Sequence, residues 1–249
     1  MSFTHDHFSS VANQYADFRP HYPPELFAWL ATLPDRRSLA WDVGTGNGQA
    51  AVSLAPYFER VIATDPSALQ IAAATTHPLV DYRVGTGESS GLASASVDIV
   101  TIAQALHWFD LDAFFVEAKR VMSAGAVLAA WTYGIIQCDD PEIDRVLHAF
   151  YIERTGPWWP PNRRLVETGY RTIPFPFIGV LAPSFRMRAE WRLSDLLGYV
   201  GTWSAVTRIQ EATGQDPVAD LAALLRPVWQ GGALRQTIRW PLSMRVGRL

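Results

Sequence analysis

Short apolar runs bounded by turn formers alternate with stretches of helical periodicity through the first half of this chain. Residues 38–43 form the first such run, and residues 48–57 carry a helical pattern that stops near Pro56. Residues 60–64 read as a second strand. It ends at Asp65-Pro66-Ser67, where the serine is placed to cap a helix over residues 68–76. Residues 80–84 are a third strand, and residues 97–103, VDIVTIA, a fourth, β-branched and apolar on both faces as a buried parallel strand must be. A helix over residues 111–122 and a fifth strand over residues 126–133 complete the series. This βαβαβαβαβ succession predicts a doubly wound α/β fold with its site at the carboxyl ends of parallel strands.

The second half is less regular. A helix over residues 141–155 leads into an aromatic, proline-rich stretch, residues 156–183, which contains Trp158-Trp159-Pro160-Pro161. A strand over residues 185–193, helices over 194–213 and 217–230, and a last strand over 234–246 follow, with Pro241 making that strand an edge or a bent one. Neither an internal repeat nor a linker divides the chain. The expectation is one domain over residues 1–249 with a mostly parallel seven-stranded sheet. Residues 8–133 form its cofactor-binding core, and residues 134–249 supply lid helices and a closing antiparallel pair.

Composition narrows the class. Hydrophobic residues make up 49% and charged residues 18% of the 249, the balance of a globular chain. A net charge of −3 gives no pull toward nucleic acid or an anionic membrane. No apolar run approaches the roughly 18 residues of a membrane span. The single Cys138 excludes an internal disulfide and a cysteine-based metal cluster, and suits a reducing compartment. The polar start, Met1 to His7, is unlike a signal peptide, so a cytoplasmic protein with no metal site is expected.

The chemistry concentrates at Trp41-Asp42-Val43-Gly44-Thr45-Gly46-Asn47-Gly48-Gln49. A dinucleotide fingerprint needs a glycine where Gln49 stands, and a phosphate-binding P-loop needs Gly-Lys-Ser or Gly-Lys-Thr at its end. Asp42 counts against a phosphate as well, because its carboxylate would lie close to it. An acid there suits a ligand bearing an ammonium and a sulfonium. Asp65, at the end of the second strand, suits two ribose hydroxyls.

With those residues in place, the sequence resembles the class I S-adenosylmethionine-dependent methyltransferases. DVGTGNG is similar to their first motif, ATDPS to the acidic end of their second strand, and RVMSAGAVLAAW to the entry of their fifth. YADFRPHYPPEL together with AQALHWFD resembles the trans-aconitate-methyltransferase-like group that acts on small molecules. The resemblance covers residues 8 to 133. It departs from the family at Gly85-Thr86-Gly87-Glu88, where Thr86 replaces an acidic acceptor for the adenine amino group, and at Ser123-Ala124-Gly125-Ala126 in a turn.

The resemblance implies S-adenosylmethionine as cofactor, held by Tyr15, Arg19, Asp42, Gly44, Gly46, Gly48, Asp65, Pro66, Ser67, Gly87, Glu88 and Gln104. Backbone groups of Gly87 and Glu88 would read the adenine, and Arg19 would pair with the cofactor carboxylate. A small-molecule acceptor, with a carboxylate among the candidates, would lie beside His107, Trp108, Phe109 and Trp158. Arg163 and Arg164 are placed to engage an acidic group. His107 is the candidate base, needed for a phenol or amine and not for a carboxylate. In-line displacement by proximity accounts for the lack of any other catalytic constellation. The alternatives are an NAD-type oxidoreductase on the same fold and a non-catalytic cofactor-binding scaffold. Either a monomer or a homodimer is compatible with these features.

Overall fold

The computed structural model describes residues 20–229 and 234–249, which fall into two compact units. One contains His21–Tyr133, Arg164–Phe185 and Leu242–Leu249; the other contains Gly134–Arg163 and Arg186–Pro241.

The first of these units carries the parallel sheet. Strands β1 (Leu39–Val43), β2 (Arg60–Asp65), β3 (Val80–Val84), β4 (Val97–Ala103) and β5 (Met122–Tyr133) lie in the order β3-β2-β1-β4-β5, every pair parallel. The chain winds outward from β1 to β3, then returns to place β4 on the other side of β1. Between β1 and β4 the winding reverses, which opens a crevice at their carboxyl ends. Leu242–Arg248 of the last strand, β9 (Gln236–Arg248), run antiparallel to β5, and the two-residue β7 (Ile178–Gly179) pairs with its end.

Both faces of the sheet are covered, so its central strands have little polar surface. Along β1, Trp41 and Val43 join one cluster with Ile62, Val100, Ile102, Phe114 and Phe115. Ala40 joins the opposite cluster with Val61, Ala63, Ile99, Val127 and Trp131. Helix α1 (Pro24–Leu30), for which the apolar pattern had no prediction, covers this second face with Leu26, Phe27 and Leu30; proline at its first position is its legible start signal. Helix α2 (Gln49–Leu54) covers the same face with Ala50, Ala51 and Leu54. The one carboxylate in β4 facing the interior, Asp98, accepts from the Ser38 and Leu39 amides at 2.8 and 3.2 Å and from Ser123 Oγ at 2.8 Å. It ties the starts of β1, β4 and β5 together.

Helix α3 (Ala68–Ala72) is shorter than its pattern but begins as expected, with the Ser67 hydroxyl accepting from the Gln70 amide at 3.4 Å. Helix α4 (Leu111–Val121) starts at Asp110, whose carboxylate accepts from the Ala113 amide. The fifth strand begins at Met122, four residues before its apolar run, directly after α4.

The other unit is helical. Helix α5 (Pro141–Ala149), capped by Asp140, continues into a wider π turn at Phe150–Arg154, which matches the single helix expected over residues 141–155. A short helix α6 (Arg163–Glu167) begins at the last residue of this segment, and its remaining residues belong to the first unit. The segment 194–213 breaks into α7 (Leu193–Gly201) and α8 (Ser204–Thr213), and α9 (Pro217–Leu225) is capped by Asp216. Gln230, the expected end of that last helix, lies outside the described residues. The two-residue β6 (Gln137–Cys138) and β8 (Arg186–Trp191) pair antiparallel with Gln236–Pro241 of β9. The strands number nine among the described residues where seven were expected; β6 and β7 are the additions, too short to carry a periodicity. Pro241 stands where β9 pairs with β8, and pairing with β5 begins at Leu242. Trp191, Tyr199, Trp203 and Trp240 form an aromatic core whose neighbouring ring centroids lie 4.8–5.9 Å apart.

Candidate active site

The turn after β1 is the densest meeting point of the expected residues. Asp42 is fully buried, and its two oxygens accept from Thr45 Oγ1 at 2.6 Å and Thr101 Oγ1 at 2.7 Å. Burial pushes its carboxyl up to about 6 against the pull of those hydroxyls, and the charge of Asp65 adds to the rise. Asp42 therefore acts on the turn from beneath, through Thr45 and through its field.

Gly44, Gly46 and Gly48 all have left-handed backbones, with φ of 65°, 56° and 86°. Their surroundings differ. A side chain at Gly44 would meet Ala105 Cβ at 2.5 Å, and one at Gly48 would strike the Tyr82 hydroxyl. Over Gly46 the nearest atom is Gln70 Oε1 at 3.9 Å. Two glycines thus serve packing, while a side chain at Gly46 would make only an ordinary van der Waals contact among the described residues.

Asp65 reaches this turn from β2. It is 9% exposed, and its oxygens accept from the Gly46 amide and from the Ser67 amide, each at 2.9 Å. Pro66 lies between these contacts in the chain. A carboxylate has about four acceptor positions, so bracing two amides is compatible with accepting ribose hydroxyls.

The loop after β3 closes a third side. Gly87 has Val43, Phe114 and Phe109 within 3.1–3.3 Å of where a side chain would begin. Glu88 accepts from the Asp110 amide at 3.0 Å, which commits its side chain to the start of α4. Glu117 of α4 accepts from the Ser90 amide at 2.8 Å, and Arg120 beside it holds the Glu117 carboxyl down at about 2. Loop 85–90 is thereby clamped to the helix, with Thr86 exposed.

After β4 the backbone enters an uncommon conformation. Gln104 has φ of 58°, donates its side-chain amide to the Tyr133 carbonyl at 3.1 Å and accepts from the Thr132 hydroxyl. Strain of this kind gathers at functional sites. Next, His107 Nδ1 lies 2.9 Å from the Tyr170 hydroxyl, and its ring centroid is 4.9 Å from that of Trp108, which is 37% exposed. Phe109 differs from these two. Its ring packs on Phe114 at 5.0 Å and beneath Gly44 and Gly87, so it supports the turn and the loop.

The structure thus brings Asp42, Gly44, Gly46, Gly48, Asp65, Pro66, Ser67, Gly87, Glu88, Gln104, His107, Trp108 and Phe109 into one unit, after the carboxyl ends of β1, β2, β3 and β4. Trp158 belongs to the other unit, where its carbonyl accepts from Arg208. Trp159 packs there on Tyr151 and Trp203 at 5.3 and 5.6 Å. Arg163 stacks 4.4 Å over Trp159 and donates to the Tyr151 hydroxyl; Arg164 is exposed. Tyr15 and Arg19 lie outside the described residues. Sequence reasoning missed Thr101, Tyr170 and Arg245, because each meets its partner only through tertiary folding; Thr45, three residues from Asp42 inside the turn, was within reach of it.

The chain is similar to known methyltransferases. A family described as "Methyltransferase domain" matches residues 41–130, from β1 into β5. A Dictyostelium discoideum protein named as a methyltransferase is 34% identical over 98% of this chain and 95% of its own length. A Saccharomyces cerevisiae protein named as S-adenosylmethionine-dependent is 30% identical over 60% of this chain and 53% of its own. The solved structure of a type II methyltransferase from Anaeromyxobacter dehalogenans is 47% identical, covers 93% of this chain and 98% of its own, and superposes with a TM-score of 0.88.

Proposed function

We propose that this chain, which belongs to the class I S-adenosylmethionine-dependent methyltransferases, transfers a methyl group to a small molecule by in-line displacement, with a carboxylate among the fitting acceptors. One observation carries the reading: among the described residues only the tip of Gln70 approaches the Gly46 backbone, whose amide is bonded to Asp65, at the reversal point of the sheet. That arrangement fits a nucleoside whose ribose meets Asp65 as the rest of the molecule crosses the turn. Asp42, close below, supplies negative charge to a cationic ligand.

S-Adenosylmethionine, held by Asp65 and the amides of loop 85–88, would supply an electrophilic methyl group on a sulfonium, with S-adenosylhomocysteine as the leaving group. The protein's part is placement. Asp65 and the amides of loop 85–88 orient the nucleoside, the Gln104 turn sets the end of β4, and His107 and Trp108 form the wall for the acceptor. Alignment and exclusion of water contribute several kcal/mol without a dedicated base. The net charge of −3 favours a small acceptor over nucleic acid. The single Cys138, suited to a reducing compartment, supports a cytoplasmic location; no helix of the described residues is long and apolar enough to cross a membrane.

The test combines binding and turnover. S-Adenosylhomocysteine at a hundredfold excess over its Kd should raise the unfolding free energy by about 2.7 kcal/mol. Incubation with methyl-labelled cofactor and a panel of small acids, phenols and amines should label one class. Stabilisation by NAD and not by S-adenosylhomocysteine would overturn the reading; binding without turnover on any acceptor would favour a scaffold.

A further inference from the structure

We propose that the outer edge of β3 pairs antiparallel with the same strand of a second copy of this chain, joining two sheets about a twofold axis at Tyr82. None of residues 80–84 belongs to the cofactor or acceptor set.

Among the described residues β3 pairs only with β2, at one end of the strand order. The Val61 amide donates to the Leu79 carbonyl at 2.8 Å, and the Gly85 amide to the Asp65 carbonyl at 3.1 Å. Backbone groups alternate along a strand, so Leu79, Asp81, Arg83 and Gly85 turn theirs toward β2, while Val80, Tyr82 and Val84 turn theirs outward. The Val80 amide is taken by the His77 carbonyl at 3.0 Å. The outward amides of Tyr82 and Val84, and the outward carbonyls, face no strand among the described residues. Side chains alternate too. Val80 and Tyr82 pack on the face that carries α2, and the Tyr82 hydroxyl donates to the Thr75 carbonyl at 2.7 Å. Val84, on that same face, is 61% exposed. Asp81 and Arg83 share the other face, bonded to each other at 2.6 Å, with Arg60 of β2 also 2.6 Å from Asp81.

The sequence of this edge is complementary to itself. Val-Asp-Tyr-Arg-Val places valines at mirrored positions and opposite charges at mirrored positions about Tyr82. A twofold axis requires that pattern, because residue i then meets j wherever j meets i. With Tyr82 opposite its counterpart, each Val80 meets a Val84 and each Asp81 an Arg83. The Tyr82 amides and carbonyls exchange bonds across the axis, and each Val84 amide reaches a Val80 carbonyl. Asp81 and Arg83 fall at a pair without backbone bonds, where α-carbons approach to about 4.5 Å and side chains come closest. Leu79, 40% exposed, comes opposite Gly85, which has no side chain to obstruct it. Sliding the pairing by two residues sets Asp81 against Asp81 or Arg83 against Arg83, and like charges directly opposite are unfavourable. Sliding it by one sets outward backbone groups against groups committed to β2. Charge on an edge strand ordinarily keeps other strands away; here it admits one partner in one register. A single strand pairing is a small interface, so the dimer is weak and depends on concentration.

Sedimentation equilibrium of the whole chain, from micromolar to tenths of a millimolar, should show monomer and dimer in exchange. Asp81→Arg makes both charges of the edge positive and Arg83→Asp makes both negative. Either variant alone should raise the dimer dissociation constant about tenfold or more, since like charges then meet on both sides of the axis. Mixed in equal amounts, the two variants carry complementary edges and should associate again, which misfolded chains would not do. Val84→Pro removes an outward amide and no bond to β2, and should leave a monomer with an unchanged circular dichroism spectrum. A wild type that stays monomeric, single variants as dimeric as the wild type, or a mixture no more associated than its components overturns the proposal. Should the charge variants fail to fold, a dimer that persists in Val84→Pro overturns it, and a folded monomer upholds it.

Discussion

Replacing Asp42 with asparagine should make the protein more stable at neutral pH and worse at its task. The carboxylate is fully buried and its carboxyl is pushed up to about 6 from 3.8, with burial the largest cause. That gap of about 2 units corresponds to about 3 kcal/mol. Below pH 3.8 both folded and unfolded chains hold the proton and the charge costs nothing. As pH rises from there toward 6, the unfolded chain releases the proton first, so the folded state binds more protons and stability falls. Above pH 6 the loss is complete. The asparagine side chain is neutral throughout, and the hydroxyls of Thr45 and Thr101 can turn, one to donate to the amide oxygen and one to accept from the amide nitrogen. Urea unfolding of both proteins across about pH 3.5–7.5 reads the difference between them. The variant's stability relative to wild type should grow by about 3 kcal/mol from the acid to the neutral end. A difference that stays flat with pH would refute the buried-charge argument. Binding should move the other way, since a cationic ligand loses its nearest negative charge. Stability gained at a site where function requires strain is the expected trade.

Other sites separate packing from binding. Gly44→Ala forces a contact at 2.5 Å with Ala105 in a left-handed backbone and should lose more than about 2 kcal/mol in urea unfolding, whereas Gly46→Ala, which meets only Gln70 Oε1 at 3.9 Å, should lose about 1–2 kcal/mol and yet abolish detectable cofactor binding by calorimetry. Equal stability losses at the two positions would contradict their assignment. Asp65→Ala should weaken S-adenosylmethionine binding tenfold or more, each charge-assisted hydrogen bond contributing roughly 1.5–3 kcal/mol; unchanged affinity in a folded variant would remove the ribose role. Trp108→Ala should lower turnover with the true acceptor and leave cofactor affinity within about twofold. The reverse pattern in steady-state kinetics and calorimetry would put the wall on the wrong side of the site.

The parallel sheet was legible, and the candidate site was sought at its carboxyl ends, because both readings rest on local signals. Buried strands such as VDIVTIA stand out as short continuous apolar, β-branched runs, the glycines of DVGTGNG mark a turn, and Asp65 ends its strand within two residues of a helix cap. These patterns are written in consecutive residues, where backbone sterics and periodicity act. What the consecutive residues do not record is which distant atoms meet. Asp42 reads as a carboxylate for a cation, but only the fold buries it against Thr101 of a neighbouring strand and raises its carboxyl toward 6. The three glycines look equivalent in the chain. Tyr82 and Ala105, brought in from β3 and from the segment after β4, make two of them packing requirements and leave Gly46 with only an ordinary contact to Gln70. Phe109 and Trp108 are adjacent aromatics, yet one supports the turn and the other is 37% exposed. Tyr170 lay in a proline-rich stretch with no periodicity, and its partner His107 is 63 residues away. Local propensity determines which elements form; burial, charge and hydrogen bonding between elements are properties of their packing, and they decide what each side chain does.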